Sequence, residues 1–203
     1  MPQQILSFTE SDVPADLRAQ ALALQEQAWP SEPDPQGRVP DQRHDPLLHP
    51  VSMLLVTDAP GAADGDAPTV VLAALDILTK QLEHRGHLYT ASGLSRVVTD
   101  RARRGSGHGR RLVAAAREAM ALSGADLGVF TCDRPLQPFY ESAGWELLPG
   151  TVLVGGTADE PFPSDQFDKV TMASLYSAFA RTRAADFHGT RIELFPGGID
   201  RLW

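Results

Sequence analysis

Three glycines alternate through Gly105, Gly107 and Gly109, and arginines crowd around them. Arg96, Arg101, Arg103, Arg104, Arg110, Arg111 and Arg117 fall within one segment of a chain whose net charge is -8. From Leu112 onward the apolar spacing is helical, with Leu112, Ala116, Ala119 and Met120 on one face. A helix therefore starts near Gly107. Its first N–H groups have no intrahelical partner and carry roughly half a positive charge. Glycines without side chains let an anion approach those groups. An acidic chain with a local arginine cluster at a helix start points to a small polyanion, not to nucleic acid.

Two familiar phosphate motifs are excluded. No lysine follows the glycines, as a Walker loop requires. The dinucleotide pattern Gly-x-Gly-x-x-Gly fails because Arg110 or Leu112 stands at its last position.

The surrounding elements follow from periodicity and from Gly and Pro punctuation. Residues 4–8 read as a strand. Pro14 opens a helix capped by Ser11 or Asp12, running to about Trp29 with Leu17, Ala21, Leu24 and Ala28 inward. Residues 30–50 hold six prolines and form an irregular loop, either a lid over a site or a connector. Val51 to Thr57 is a strand, and Asp58 to Pro68 is a hairpin tip. Thr69 to Thr79 is an apolar strand buried on both faces, and Gln81 to Gly86 turns the chain. His87 to Thr99 leads into the glycines, and the helix after them stops near Ser123 and Gly124. Leu127 to Thr131 is a short strand. Pro135 opens a helix with Phe139 and Tyr140, ending before Gly144. Trp145 to Val154 is the next strand, and Tyr176 to Arg183 holds an extra helix. The order predicts a mixed α/β domain over 1–203.

The stretch Arg104-x-x-Gly107-x-Gly109 resembles the pyrophosphate-binding motif of the GCN5-related N-acetyltransferases (GNAT), which bind acetyl-CoA. About 30 residues later, Pro138-Phe-Tyr-Glu-Ser-Ala-Gly-Trp145 resembles the aromatic-Tyr and Gly-aromatic signature of that family. The resemblance covers about residues 50 to 155. It implies an α+β fold with a mostly antiparallel sheet, flanked by helices and splayed at the cofactor. The tail, Ile192-Glu-Leu-Phe-Pro-Gly-Gly-Ile-Asp-Arg-Leu-Trp203, resembles that of the aminoglycoside 2'-N-acetyltransferases. Residues 156–203 otherwise read as a divergent extension.

The resemblance implies roles residue by residue. The N–H groups of Gly105, Ser106, Gly107, His108, Gly109 and Arg110 would hold the pyrophosphate, helped by the Arg104 and Arg110 side chains. Val97, Val98 and Thr99 would line the cofactor as the splayed strand. A primary amine would attack the thioester directly. Tyr140 would protonate the departing sulfur, since a tyrosine at pKa about 10 lies above a thiol at about 8.5. The amine must first lose a proton, from a pKa of about 10.4. The aminoglycoside enzymes have a glutamate two residues before the equivalent of Val97, and this chain has Ser95 there. A water chain, Asp76 or the terminal carboxylate of Trp203 would take over that role. Carboxylates for a cationic acceptor are expected from Asp41, Asp45, Asp165, Asp168 and Asp200. Other acceptors remain open (a polyamine, an amino acid, a peptide N-terminus), as does a CoA-binding module without catalysis. Members of the family often pair, so the resemblance leaves a homodimer open.

The single cysteine, Cys132, excludes an internal disulfide. No run of about 18 apolar residues exists, and the start lacks a signal-peptide pattern. His84 and His87 have no partner pair at zinc spacing. The expectation is a cytoplasmic enzyme without metal, membrane or nucleic-acid partners.

Overall fold

A computed structural model of the chain describes residues 2–30, 43–58 and 68–203. Asp41 and most of the expected hairpin tip lie outside them.

The large sheet is built from β1 (Gln3–Thr9), β2 (Val51–Asp58), β3 (Thr69–His84), β4 (His87–Thr99), β5 (Leu127–Asp133), β6 (Glu146–Leu147) and β9 (Lys169–Leu175). Their order is β1-β2-β3-β4-β5-β9-β6. Every pairing is antiparallel except β4 with β5. A smaller sheet joins β7 (Val152–Gly156) to β8 (Pro161–Pro163) and β10 (Arg191–Glu193) in the order β10-β7-β8.

Helices cover both faces of the large sheet. On one face α1 (Ala15–Ala28) buries Leu17 and Ala21 against Leu54, Val56, Val71, Ala74 and Val98. On the other, α2 (His108–Leu122) buries Leu112, Val113, Ala116 and Met120 against Met53, Leu55, Leu75 and Phe130. The short α3 (Gln137–Ser142) packs beside α2. A second core lies between the far end of the large sheet and the small one. There Leu82, Tyr89, Leu127 and Val129 meet Leu153, Ile192, Phe187 and Ala180 of α4 (Ala178–Arg181). Residues 71 to 78 are buried throughout, as expected of a strand covered by helices on both sides.

Four local expectations change. The first helix has no side-chain cap, because Glu10–Asp12 form their own 3-10 turn and Pro14 is the N-cap. Asp12 instead accepts a hydrogen bond from Thr9 Oγ1 at 2.6 Å. The turn expected at 81–86 is only Arg85 and Gly86, both at positive φ. Gln81 and Glu83 face solvent while Leu82 and His84 are buried, a strand alternation that polar residues disguised. The strand expected over 145–154 is two strands in different sheets, broken at Pro149 and Gly150, whose φ is 70°. The helix at 176–183 shortens to α4, capped by Ser177 Oγ accepting from Ala180 N at 3.0 Å.

Candidate active site

The parallel pairing of β4 with β5 lasts for two residue pairs, Ala91 with Leu127 and Ser92 with Gly128. Beyond them β4 stays paired to β3 through Thr99, and β5 stays paired to β9 through Asp133. The facing edges of β4 and β5 therefore diverge, leaving backbone N–H and C=O groups along a wedge. Unpaired backbone groups of that kind need a partner, and a chain bearing amides can supply one from within the wedge.

A bulge shapes the β4 side. Ala74 pairs with Val98 but Asp76 pairs with Ser95, so Leu75 faces both Arg96 and Val97. Arg96 takes φ 50°, which bends the strand and re-aims the edge at Val97 to Thr99. At the mouth of the wedge stands the start of α2. Gly105 and Gly107 have φ of 81° and 80°, and Gly107 is the N-cap. A Cβ on Gly109 would lie 2.7 Å from Thr99 Oγ1 and 3.3 Å from a Phe139 ring carbon. The missing side chain lets the first turn of the helix seat against the end of β4 and against α3.

The arginines sort by partner. Arg101 donates to the Gln27 carbonyl, Arg103 pairs with Asp100 at 3.1 Å, Arg111 donates to Gln3, and Arg117 donates to Ser174. The side chains of Arg104 and Arg110 are exposed and make no ion pair or hydrogen bond among the described residues.

Tyr140 stacks edge-to-face on Phe130 of β5 at 4.9 Å and on Phe139 at 4.9 Å. Burial, followed by the neighbouring Cys132 and Asp133, raises its pKa well above the usual tyrosine value. Its hydroxyl stays protonated across the neutral range. Burial likewise pushes the Cys132 thiol up to about 11.

On the α1 face of the sheet, three distant segments meet at His44. Its Nδ1 lies 2.7 Å from Asp200 Oδ1, and its Nε2 lies 3.1 Å from Asp76 Oδ2. The second contact has ion-pair distance without hydrogen-bond alignment. Asp76 also accepts from Ser52 Oγ at 2.5 Å, and Glu10 accepts from the His44 N–H at 3.3 Å. Burial opposes charge on His44, but the adjacent carboxylates of Asp200 and then Asp76 outweigh it and lift the pKa to about 9. Beside this cluster is a cavity of about 30 Å³, lined by Glu10, Gln25, Ser52 and Asp76 and also by Arg18 and Arg96. Gln25 is buried, and its Oε1 has no partner.

Of the expected acceptor-side residues, Asp200 is thus buried and its Oδ1 engaged inside the protein. Asp45, Asp165 and Asp168 are not brought to the cluster. Asp45 accepts from Leu47 N and caps a 3-10 turn. Asp165 and Asp168 hold exposed ion pairs with Arg191 and Arg134. Ser95 is buried directly across the ladder from Asp76. Trp203 does reach the wedge: its Nε1 donates to Val129 O at 2.8 Å. Sequence reasoning missed His44, since a histidine in a proline-rich loop carries no local signal. It also missed Gln25, a polar residue on an otherwise apolar helix face.

The sequence matches the Acetyltransferase (GNAT) domain family over residues 11–148, about two thirds of the chain. The chain belongs to the GNAT acetyltransferase family. The fold also matches solved structures. A probable N-acyltransferase of unknown function from Enterococcus faecalis superposes with TM-score 0.55 at 16% identity, over 73% of this chain and 33% of that one. ElaA from Escherichia coli gives TM-score 0.51 at 18% identity, over 85% of this chain and 99% of that one. An acyl-CoA N-acyltransferase from Pseudomonas aeruginosa gives TM-score 0.51 at 19% identity, again over 85% and 99%. The chain therefore spans a third of the length of the first relative and nearly all of the other two. No curated protein matches the sequence.

The acetyltransferase uses acetyl-CoA as its acyl donor, and its residues fit that group. The glycine turn, the exposed Arg104 and Arg110 side chains and the diverging strand edges supply an anion cradle that continues into an amide-lined wedge. Among the described residues, no three His, Cys, Asp or Glu side chains are arranged to hold a metal ion. Among the same residues, no helix is long and apolar enough to cross a membrane.

Proposed function

We propose that this acetyltransferase modifies a primary amine of a small cationic molecule, presented from the α1 face of the sheet. The observation that carries the reading is the cluster at His44. Asp76 and Asp200 flank the His44 imidazole there, and Glu10 accepts from the His44 backbone N–H. Gln25 Oε1 adds an unused acceptor at a cavity with room for about one water-sized group. An ammonium group is a compact, donor-only cation that suits the acceptors of this lining, which Arg18 and Arg96 also share.

The chemistry divides among named residues. Acetyl-CoA supplies an activated acetyl thioester when bound. Gly105 to Arg110, with the Arg104 side chain, hold its pyrophosphate. Val97, Val98 and Thr99 offer the bulged edge that orients it. Asp76 faces Ser95 across the ladder, so a carboxylate is present one strand away from the position where the aminoglycoside enzymes place theirs. Asp76 and Ser95 orient the amine, which loses its proton to water. As the N–C bond forms and the C–S bond breaks, the Tyr140 hydroxyl donates to sulfur, a role supported by its retained proton.

An aminoglycoside 2'-amine is the most specific acceptor we propose. Its support is that Trp203, singled out by the tail resemblance, bonds Val129 at the wedge, while Asp200 joins the His44 cluster. Thiol release from acetyl-CoA, measured across aminoglycosides with and without a 2'-amine, polyamines and amino acids, tests the reading. Turnover on cationic amines that weakens with ionic strength is expected. Turnover lost only when the 2'-amine is absent selects the aminoglycoside. Equal rates on neutral and cationic amines would overturn the cationic acceptor.

A further inference from the structure

Trp203 sits where the wedge closes. A Cβ placed on Gly93, the first β4 residue beyond the paired segment, would lie 2.3 Å from Trp203 Nε1. On the other strand, the same Nε1 donates to the carbonyl of Val129, the first β5 residue beyond the paired segment. The ring packs against both hydrophobic cores, at their junction. One indole thus spans the vertex and touches both diverging strands.

The tail is fixed tightly enough to hold the ring there. Lys80 Nζ donates to the carbonyls of Leu194 and Phe195 at 2.6 and 2.7 Å. Gly156 N donates to Arg201 O at 2.9 Å, and a Cβ on Gly155 would meet that same carbonyl. Asp200 is held by His44. Three anchors, from three different parts of the fold, precede the tryptophan.

The wedge has a direction. Its mouth is the anion cradle at Gly107, and its vertex is Gly93 with Val129. A cofactor bound by its phosphates at the mouth extends its amide-bearing arm along the strand edges, and its acyl end then points at the vertex. We propose that the Trp203 indole is the wall that sets acyl-chain length, admitting acetyl and rejecting longer acyl groups. Close-packed protein interiors do not yield to added methylenes. One methylene in a fitted apolar site changes binding by about 10- to 200-fold.

The inference rests on acyl-CoA occupying the wedge, so the test separates the two. Equilibrium binding of CoA, S-ethyl-CoA and S-butyl-CoA, unreactive thioethers that need no acceptor, is measured by calorimetry. Wild-type protein is compared with Trp203→Ala and Trp203→Phe, each checked for an intact thermal transition. The wild type is expected to bind S-butyl-CoA at least about tenfold more weakly than S-ethyl-CoA. Trp203→Ala is expected to abolish or invert that ratio. Trp203→Phe, which keeps an apolar ring but loses the N–H, is expected to preserve most of it. Equal wild-type affinity for both thioethers overturns the proposal and leaves the cofactor assignment standing. So does a ratio unchanged in Trp203→Ala. Failure of the wild type to bind any CoA would overturn the wedge reading, and the proposal with it. If Trp203→Ala does not fold, the wild-type ratio and Trp203→Phe decide.

Discussion

Raising the pH should loosen the molecule at one identifiable place. His44 joins the loop after α1 to Asp76 in the middle of the sheet and to Asp200 in the tail. Its pKa stands at about 9 in the folded protein, against an ordinary value of 6.5. A group whose folded pKa is raised contributes stability that is complete below the unfolded value and lost as pH climbs through the folded one. The displacement corresponds to about 3 kcal/mol. That stabilisation is present at pH 6, declines from about 6.5, and is gone above about 9. For a domain of this size, each kcal/mol shifts Tm by about 2–4 °C, so the melting point should fall by about 6–12 °C on this account. Other groups titrate over the same range, so the measurement is a difference. Tm is recorded from pH 5.5 to 10 for the wild type and for His44→Gln, which cannot titrate. The gap between the curves should be widest below pH 6.5 and should narrow towards pH 9.5. The variant should be less stable throughout the acidic half, since it leaves two buried aspartates without a cation, a loss on the scale of about 3–5 kcal/mol. Parallel curves, with a gap independent of pH, would refute the argument that a charged imidazole holds the tail.

Three further outcomes follow from the cofactor side. Arg104→Ala should raise KM for acetyl-CoA about tenfold, the scale of one charge-assisted hydrogen bond, and should flatten its dependence on ionic strength; steady-state kinetics at two salt concentrations check both. Gly109→Ala places a methyl 2.7 Å from Thr99 Oγ1, so it should cost about 1–3 kcal/mol of stability by overpacking and weaken CoA binding, as read by denaturant unfolding and calorimetry. Tyr140→Phe should lower kcat by about 10²-fold while CoA affinity changes less than about threefold; an unchanged kcat would return Tyr140 to a packing role.

What was legible in the chain depended on the range of the interaction. The glycine turn and the helix start after it were readable because Gly105, Gly107 and Gly109 act through their own backbone within five residues. The helix stop at Gly124 and the strand at Thr69 were readable for the same reason, since turn chemistry and apolar runs are local signals. The polar continuation of β3 was hidden because Gln81, Glu83 and His84 interrupt the apolar run around Leu82. The acceptor side was the least readable. Two aspartates proposed there on neighbourhood alone, Asp165 and Asp168, are held by exposed arginines. The residue that organises the cluster came from a loop with no periodicity.

That contrast has a physical basis in how the two halves of the site are built. The donor half binds a constant group, and backbone N–H groups at a helix start and a bulged strand edge suffice for it. Such a site can be written in a few glycines. The acceptor half proposed above needs side chains of chosen charge, drawn from residues 10, 25, 44, 76 and 200, which meet only after the sheet has formed and the tail has crossed it. Asp76 shows the consequence. Its carboxylate stands across the ladder from Ser95, so a charge absent from one strand is present on its neighbour at nearly the same place. A reading position by position sees a missing acid at Ser95, whereas the folded sheet retains an acid on the adjoining strand. Under the function proposed above, acceptor preference depends on the pairing of β3 with β4 and on the tail that His44 holds down. Substitutions at His44 or Asp200 should change which amine is accepted while leaving the affinity for CoA close to that of the wild type.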